Sequence, residues 1–272
     1  MSLDNSNYER PCPIIVSVCD YSGNWSRPYV ERGYIVVRVD PKHGQTYSRG
    51  GLGYLPGDYG DGSFVEMPDG GYGLALSAGA LAARLRDEGG YFFDSLLWDL
   101  YERQGYDCCE VHGLLLAPPC TDFSSSGARW FKAKDADGRT AASVSIVRDC
   151  LEVRDLLAPD FWVLENPDGR LRRLVPELGP WRLRFHPWQF AGLADNPFSE
   201  SYSKGTCLWG DFNPDLKQDA TAPVVIEKVR ADGSIVRGSP LWANLGGKSE
   251  RTKELRSLTP LGFARAFARA NR

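Results

Sequence analysis

Four groups with chemical potential stand at the ends of apolar runs. Asp20 follows "PIIVSVC", Asp40 closes "YIVVRVD", Cys120 follows "GLLLAPP", and Glu165 with Asn166 closes "FWVLEN". A cysteine reacts as its thiolate, and two prolines stiffen the approach to this one while a small polar stretch, "TDFSSSG", leaves it reachable. The plainer alternative is an inert buried thiol. An acid ending an apolar strand is partly dehydrated, which disfavours its charge and makes Glu165 a proton donor near neutral pH. Its plainer alternative is a carboxylate paired with an arginine of "GRLRR" downstream. Together the two groups suit one reaction type. The thiolate adds to an electron-poor ring, and the acid protonates the ring as charge builds.

The Asp20-Tyr21-Ser22-Gly23 stretch reads as a tight turn where a ligand could approach the backbone. Asp40, about twenty residues on, stands where an acid accepts hydrogen bonds from ribose hydroxyls. An ordinary βαβ turn with an exposed acid is the competing reading. No GxGxxG pattern occurs there, so a nucleoside-like cofactor fits better than a dinucleotide.

These positions converge only if strands carry them. Strand, glycine turn, short helix ending at Gly33, and strand ending in Asp40 open a doubly wound α/β fold. Residues 44–73 interrupt it with ten glycines, as a loop or loose hairpin. A helix ending at Gly89 follows, then a very short strand and helix within "YFFDSLLWDLYERQG". Next come the strand leading to Cys120 and a helix over 139–157, with Ala142, Ile146, Val147, Cys150, Leu151, Val153 and Leu157 on its apolar face. The strand ending in Glu165-Asn166-Pro167 comes next. Residues 170–250 are rich in Trp, Pro, Arg and Gly, with short strands at "RLRFHP", "GTCLWG" and "PVVIEKV". The tail is a helix with Thr259 as N-cap, Pro260 at its first position and a stripe through Phe263 and Phe267. If the strands are parallel, all four polar ends gather at one sheet edge, where open α/β sheets bind ligands.

The whole chain sets outer limits. Its 272 residues suit one large domain, or one with a small appendage. No apolar run is long enough for a membrane span, and no leader pattern opens the chain. Seven cysteines without CxxC spacing, beside three scattered histidines, argue against zinc and for a reducing cytoplasm. The net charge is −3, yet residues 227–272 hold 10 basic and 4 acidic side chains. That basic tail is either a solvated helix end or a phosphate-facing surface.

"APPCTDFSSSG" resembles the Pro-Cys motif of DNA cytosine-5 methyltransferases, and "LENP" resembles their Glu-Asn-Val motif. "VCDYSGNWSRPYVERGYIVVRVD" resembles their cofactor turn, helix and second strand. "GARW", "KDADGRT", "YSKGTCLWG" and "TPLGFARAFARAN" are similar to a phage- and prophage-borne branch, so the likeness covers roughly residues 14–42 and 108–271. It implies a Rossmann-like sheet binding S-adenosyl-L-methionine through Asp20, Gly23, Trp25, Asp40 and Pro118. It implies that Cys120 adds to carbon 6 of cytosine, that Glu165 contacts ring nitrogen 3, and that Asn166 supports the site. The cytosine, flipped out of DNA, would be covered by the loop from Thr121 to Trp130, including Ser124. A monomeric, metal-free, cytoplasmic enzyme of a phage or prophage restriction-modification setting is the overall expectation.

Departures accompany the likeness. The cofactor turn aligns ambiguously, Thr121 replaces the usual glutamine, and no clear Gln-x-Arg-x-Arg motif exists; Lys204 and Thr206 are its stand-ins. Asp94 is the candidate for the third-strand acid beside adenine. About eighty residues follow the Glu165 strand before the last helix, too few for a full recognition domain. The expected division is 11–170 catalytic, 171–250 remaining strands with a reduced recognition region, and 251–272 returning to the core. Arg172, Arg173, Arg182 and Arg184 are candidate phosphate contacts. RNA or a free nucleotide as substrate, a non-catalytic DNA-binding relative, and an amino-methyltransferase are the rival readings.

Overall fold

The computed structural model describes residues 14–43, 64–89, 91–92, 95, 110–229, 231–238 and 250–272. Its elements in chain order begin with β1 (Ile14–Val18), α1 (Arg27–Val30), β2 (Ile35–Val39), β3 (Phe64–Glu66), β4 (Tyr72–Leu74) and α2 (Ala78–Glu88). Then follow β5 (Val111–Leu116), α3 (Phe131–Ala136), α4 (Arg139–Leu157), β6 (Phe161–Pro167) and α5 (Leu171–Leu174). The chain closes with β7 (Leu183–Phe185), α6 (Pro197–Glu200), β8 (Thr206–Asp211), β9 (Ile226–Val229), β10 (Ile235–Gly238), α7 (Glu250–Ser257) and α8 (Leu261–Ala270).

Eight strands form one sheet in the order β3-β4-β2-β1-β5-β6-β8-β7, while β9 and β10 make a separate hairpin. The five strands β4, β2, β1, β5 and β6 run parallel. β3 pairs antiparallel at one edge, and β8 pairs antiparallel with both β6 and β7 at the other. The chain winds from β1 outward to β4, then crosses back to β5 and onward to β6. That reversal makes a Rossmann-like, doubly wound α/β fold, with its crevice between the carboxyl ends of β1 and β5.

Strand alternation feeds a core on each face. Ile14, Val16 and Val18 meet α2 and α4 through Leu81, Leu85, Val147 and Cys150. Ile15, Val36 and Leu115 meet α1 and α8 through Trp25, Tyr29, Phe263 and Phe267. Both faces being covered explains why the central strands are apolar runs rather than alternating ones.

Four local readings change. The third parallel strand is β4, inside the segment read as an insertion; its partner β3 makes that end a hairpin, and residues 44–63 lie outside the described residues. Asp94 also lies outside them, and β4 is followed by Ala75, Leu76 and Ser77, so no acid stands at the end of the third strand. Thr259 does not cap α8. The half-buried Glu200 carboxylate accepts from the Leu261 and Gly262 amides at 2.6 and 2.9 Å, a cap from across the fold that chain-local pattern reading could not find. On α4, Ala142 is exposed and Thr140 is buried.

Candidate active site

The turn after β1 is built around one carboxylate. Asp20 Oδ1 accepts from the Gly23 amide at 2.9 Å, and Oδ2 accepts from Ser17 and Ser26 hydroxyls at 2.9 and 2.8 Å. Its lone pairs are thus taken up in shaping the turn rather than offered to a ligand. Gly23 has φ +70°, and a side chain there would strike the Arg38 guanidinium, so glycine is needed twice over. Arg38, 2% exposed, donates to Ser26 Oγ at 2.8 Å and forks onto Asp69 at 3.0 and 2.7 Å. The chain Asp20–Ser26–Arg38–Asp69 therefore ties the crevice turn to the β3–β4 hairpin. Just before it, Cys19 holds φ +61°, a left-handed conformation that non-glycine residues rarely adopt, while its amide donates to Val39 O at 2.7 Å. Such an outlier marks a site held in shape by its surroundings.

Asp40 stands half-buried at the end of β2. Its Oδ1 accepts from the Lys42 amide at 2.9 Å, and Oδ2 has no hydrogen bond among the described residues. Burial and the nearby Asp20 push its pKa up. The two acids, at the ends of adjacent strands β1 and β2, therefore lie within electrostatic reach of each other. Trp25, by contrast, is fully buried against Phe263 and Phe267, with ring centroids 6.4 and 6.1 Å away. It is a core residue under α8, not a wall of the crevice, held there by the turn that precedes α1.

Cys120 ends the segment after β5, whose Leu116 lies beside Leu164 of β6 in the parallel register. One residue further along β6 comes Glu165, then Asn166. Asn166 is fully buried and donates through Nδ2 to the Pro118 carbonyl at 3.0 Å, fixing the backbone two residues before the thiol. Its Oδ1 is buried without a partner. Pro118 is itself buried at the crevice, where the Ala117 amide extends the β1 ladder by donating to Val18 O.

The groups at these strand ends act on one another electrostatically. Burial pushes the Cys120 thiol up; Lys204 and Arg256 oppose this and a Glu165 charge reinforces it. Burial likewise pushes the Glu165 carboxyl up, opposed by Lys204. A single ammonium thus acts on both groups. The arginine-paired alternative for Glu165 is not what the fold builds: Arg170 bonds instead to Asp135, Thr140 and the Asp122 carbonyl, while stacking 3.7 Å over Phe131. Arg256 on α7 escaped sequence reasoning as an individual residue; its only signal was the basic excess of the tail.

The loop after the thiol is less free than its composition implied. Cys120 O accepts from the Phe123 and Ser124 amides, Phe123 is fully buried, and Lys134 Nζ donates to Thr121 O at 2.6 Å. Lys134 also pairs with Asp122 at 2.8 Å. Ser124 bridges Gly169, and Ser125 Oγ donates to Asp168 O at 3.0 Å. Gly169 has no alternative here, because a Cβ would overlap the Phe123 carbonyl oxygen. Residues 121–125 are thus latched to the exit of β6. Only the following 3-10 turn, Ser125–Trp130, lacks any buried residue.

The remaining candidates divide. Lys204 stands at the thiol and the acid, with its ammonium 3.4 Å from the Arg256 carbonyl. Thr206 is 2% exposed and its hydroxyl donates to Lys204 O, so it shapes the turn that presents Lys204 and does not face a substrate. Arg182 and Arg184 are paired with Asp211 and Asp168. Arg172 and Arg173 are exposed and line a separate cavity. Ser124 Oγ lies 3.0 Å from Ser126 Oγ, beside the thiol loop. Among the described residues no cluster of three His, Cys, Asp or Glu could hold a metal ion, and no helix is long and apolar enough to cross a membrane.

No protein-family model and no curated protein matches the chain. Among solved structures, one similar to it is a candidate DNA modification methyltransferase encoded within a prophage of E. coli. The two share 10% identity and a TM-score of 0.38, over 73% of this chain and 46% of the other, so the chain spans about half of that protein's length. A likeness this slight carries no argument about activity.

Proposed function

We propose that the protein is a DNA cytosine-5 methyltransferase that uses S-adenosyl-L-methionine and a covalent Cys120 adduct. The observation that carries this reading is the meeting of a thiol and a dehydrated carboxyl from successive parallel strands under one shared cation, beside the β1–β5 crevice. Few reactions need that set. Cys120, losing its proton as thiolate, forms a bond to carbon 6 of cytosine. Glu165, whose carboxyl pKa burial pushes up, gives its proton to ring nitrogen 3 as the electron pair moves there. Lys204 and Arg256 favour the thiolate over the thiol. Carbon 5 becomes nucleophilic; once it is methylated, loss of its proton to water expels the thiolate, and the nitrogen-3 proton returns to Glu165, restoring the ring.

The donor set fits a nucleoside cofactor. The free oxygen of Asp40 is an acceptor for ribose hydroxyls, and the turn at Asp20–Gly23 is rigidly held for close backbone approach. S-adenosyl-L-methionine would supply an electrophilic methyl group there. The role of Asn166 is to fix Pro118 and hence the direction of Cys120.

The test uses labelled S-adenosyl-L-methionine with DNA, RNA and deoxycytidine monophosphate as separate acceptors. Mass spectrometry should find label on carbon 5 of cytosine in DNA, abolished by Cys120→Ser. Label on the amino group, or label surviving that substitution, would refute the mechanism. Transfer only to RNA or to the free nucleotide would refute the assignment of substrate.

A further inference from the structure

On the α2/α4 face of β6, opposite to Glu165, a second cavity of about 250 Å³ opens where the chain leaves the strand. Its floor is Asp168 and Gly169, the residues that latch the Cys120 loop. Trp209 forms a wall, oriented by its indole N–H donating to Gly179 O at 3.3 Å. Trp181, 44% exposed, lines the rim with Arg172 and Arg173.

The rim combines exposed charge with exposed aromatic surface. Most of the described arginines stand within ion-pairing distance of a carboxylate, as do Arg148 with Glu177, Arg182 with Asp211 and Arg184 with the cavity-lining Asp168. Arg172 and Arg173 have no such partner among the described residues. Adjacent uncompensated guanidiniums suit a phosphate, whose oxygens match their donor fork. A large aromatic left half in water at the same opening suits a planar ring that stacks upon it. The size admits one base with its sugar, below the volume usual for larger ligands.

We propose that this cavity is a second nucleotide subsite, which seats a base flanking the reacting one against the exposed Trp181, with the buried Trp209 as the cavity's apolar wall, while Arg172 and Arg173 hold its phosphate. The inference rests on DNA being the substrate. A strand leaving the Cys120 cleft passes the end of β6 at Asp168 and meets the cavity next. Asp168 and Gly169 then contact both events, so seating the flanking base stiffens the latch on the Cys120 loop.

The test measures binding, not turnover, using the full chain and a fluorescein-labelled short single-stranded oligodeoxynucleotide with one cytosine. Companion oligonucleotides carry an abasic unit on one side of it or the other. Stacking losses of this kind run to about tenfold in affinity. Trp181→Ala should weaken the intact strand by about that factor, and Trp181→Phe should restore most of it. An abasic unit on one side should weaken wild type by a similar factor yet cost Trp181→Ala nothing further. Arg172→Gln/Arg173→Gln should flatten the salt dependence by roughly 0.7 in log–log slope per lost phosphate contact. Wild-type binding in both variants, an abasic penalty that persists in Trp181→Ala, or no binding by wild type would each overturn the subsite. The expected binding pattern in a protein that transfers no methyl group would instead refute the reaction and leave the subsite standing.

Discussion

Asp69→Asn should destabilise the protein more than Arg38→Met, although both break the same ion pair. The reason is where each partner is left. Arg38 is 2% exposed, whereas the Asp69 side chain is 33% exposed. Removing the acid's charge strands a guanidinium that water cannot reach, at a cost of about 3–4 kcal/mol. Removing Arg38 leaves a carboxylate that can hydrate, so with screening allowed for, the loss is about 2 kcal/mol, including the bond to Ser26. Because the two share partners, the double variant should cost less than the sum. The acid dependence follows from Asp69 itself. Burial would raise its pKa, but the Arg38 fork more than offsets this and holds it below the ordinary value. A depressed carboxyl contributes stability above the unfolded-state pKa of about 3.9 and loses it as pH falls through the folded value. Urea unfolding of wild type and variants at neutral pH and near pH 3 reads both effects. The gap between wild type and Asp69→Asn should shrink in acid. Arg38→Met costing as much as Asp69→Asn, or a gap that ignores pH, would refute the reasoning.

Other expectations concern the thiol and its loop. Lys204→Met should raise the Cys120 pKa, leaving less thiolate at neutral pH and slowing iodoacetamide alkylation there by up to about tenfold, with the high-pH plateau unchanged. Glu165→Gln should do the reverse to alkylation wherever Glu165 is ionised, while lowering methyl transfer by about 10²–10⁴. In wild type the transfer rate should be highest where thiolate and protonated Glu165 coexist, between the two raised pKa values, so Glu165→Gln should remove one limb of the pH profile. Gly169→Ala should detach the 121–125 segment, seen as faster exchange of the Arg170 amide that now donates to Phe123 O at 3.0 Å.

Much of the frame was legible in the residues because strand ends announce themselves. Apolar runs closing in Asp20, Asp40, Cys120 and Glu165 become β1, β2, β5 and β6, and their parallel register brings the last two groups together. What stayed hidden was tertiary. β4 is three residues long and glycine-bearing, too short for any period to show. Trp25 sits beside the Asp20–Gly23 turn in sequence yet packs on a helix more than two hundred residues away. Asp20 could be placed at the crevice, but only the fold shows its oxygens consumed by Ser17, Gly23 and Ser26. The Glu200 cap, the Arg170 latch and the cavity beside Trp181 all join residues that no local spacing relates.

The central claim is that Cys120 bonds to carbon 6 of cytosine while Glu165 protonates the ring. DNA carrying 5-fluorocytosine tests it most directly, since fluorine on carbon 5 cannot leave as a proton and the adduct cannot break down. With S-adenosyl-L-methionine present, wild type should yield a denaturation-resistant protein–DNA species, with the modification mapped by mass spectrometry to the peptide bearing Cys120. Cys120→Ser should yield none. Absence of the adduct from wild type under conditions that methylate ordinary DNA, or its persistence in Cys120→Ser, would contradict the account.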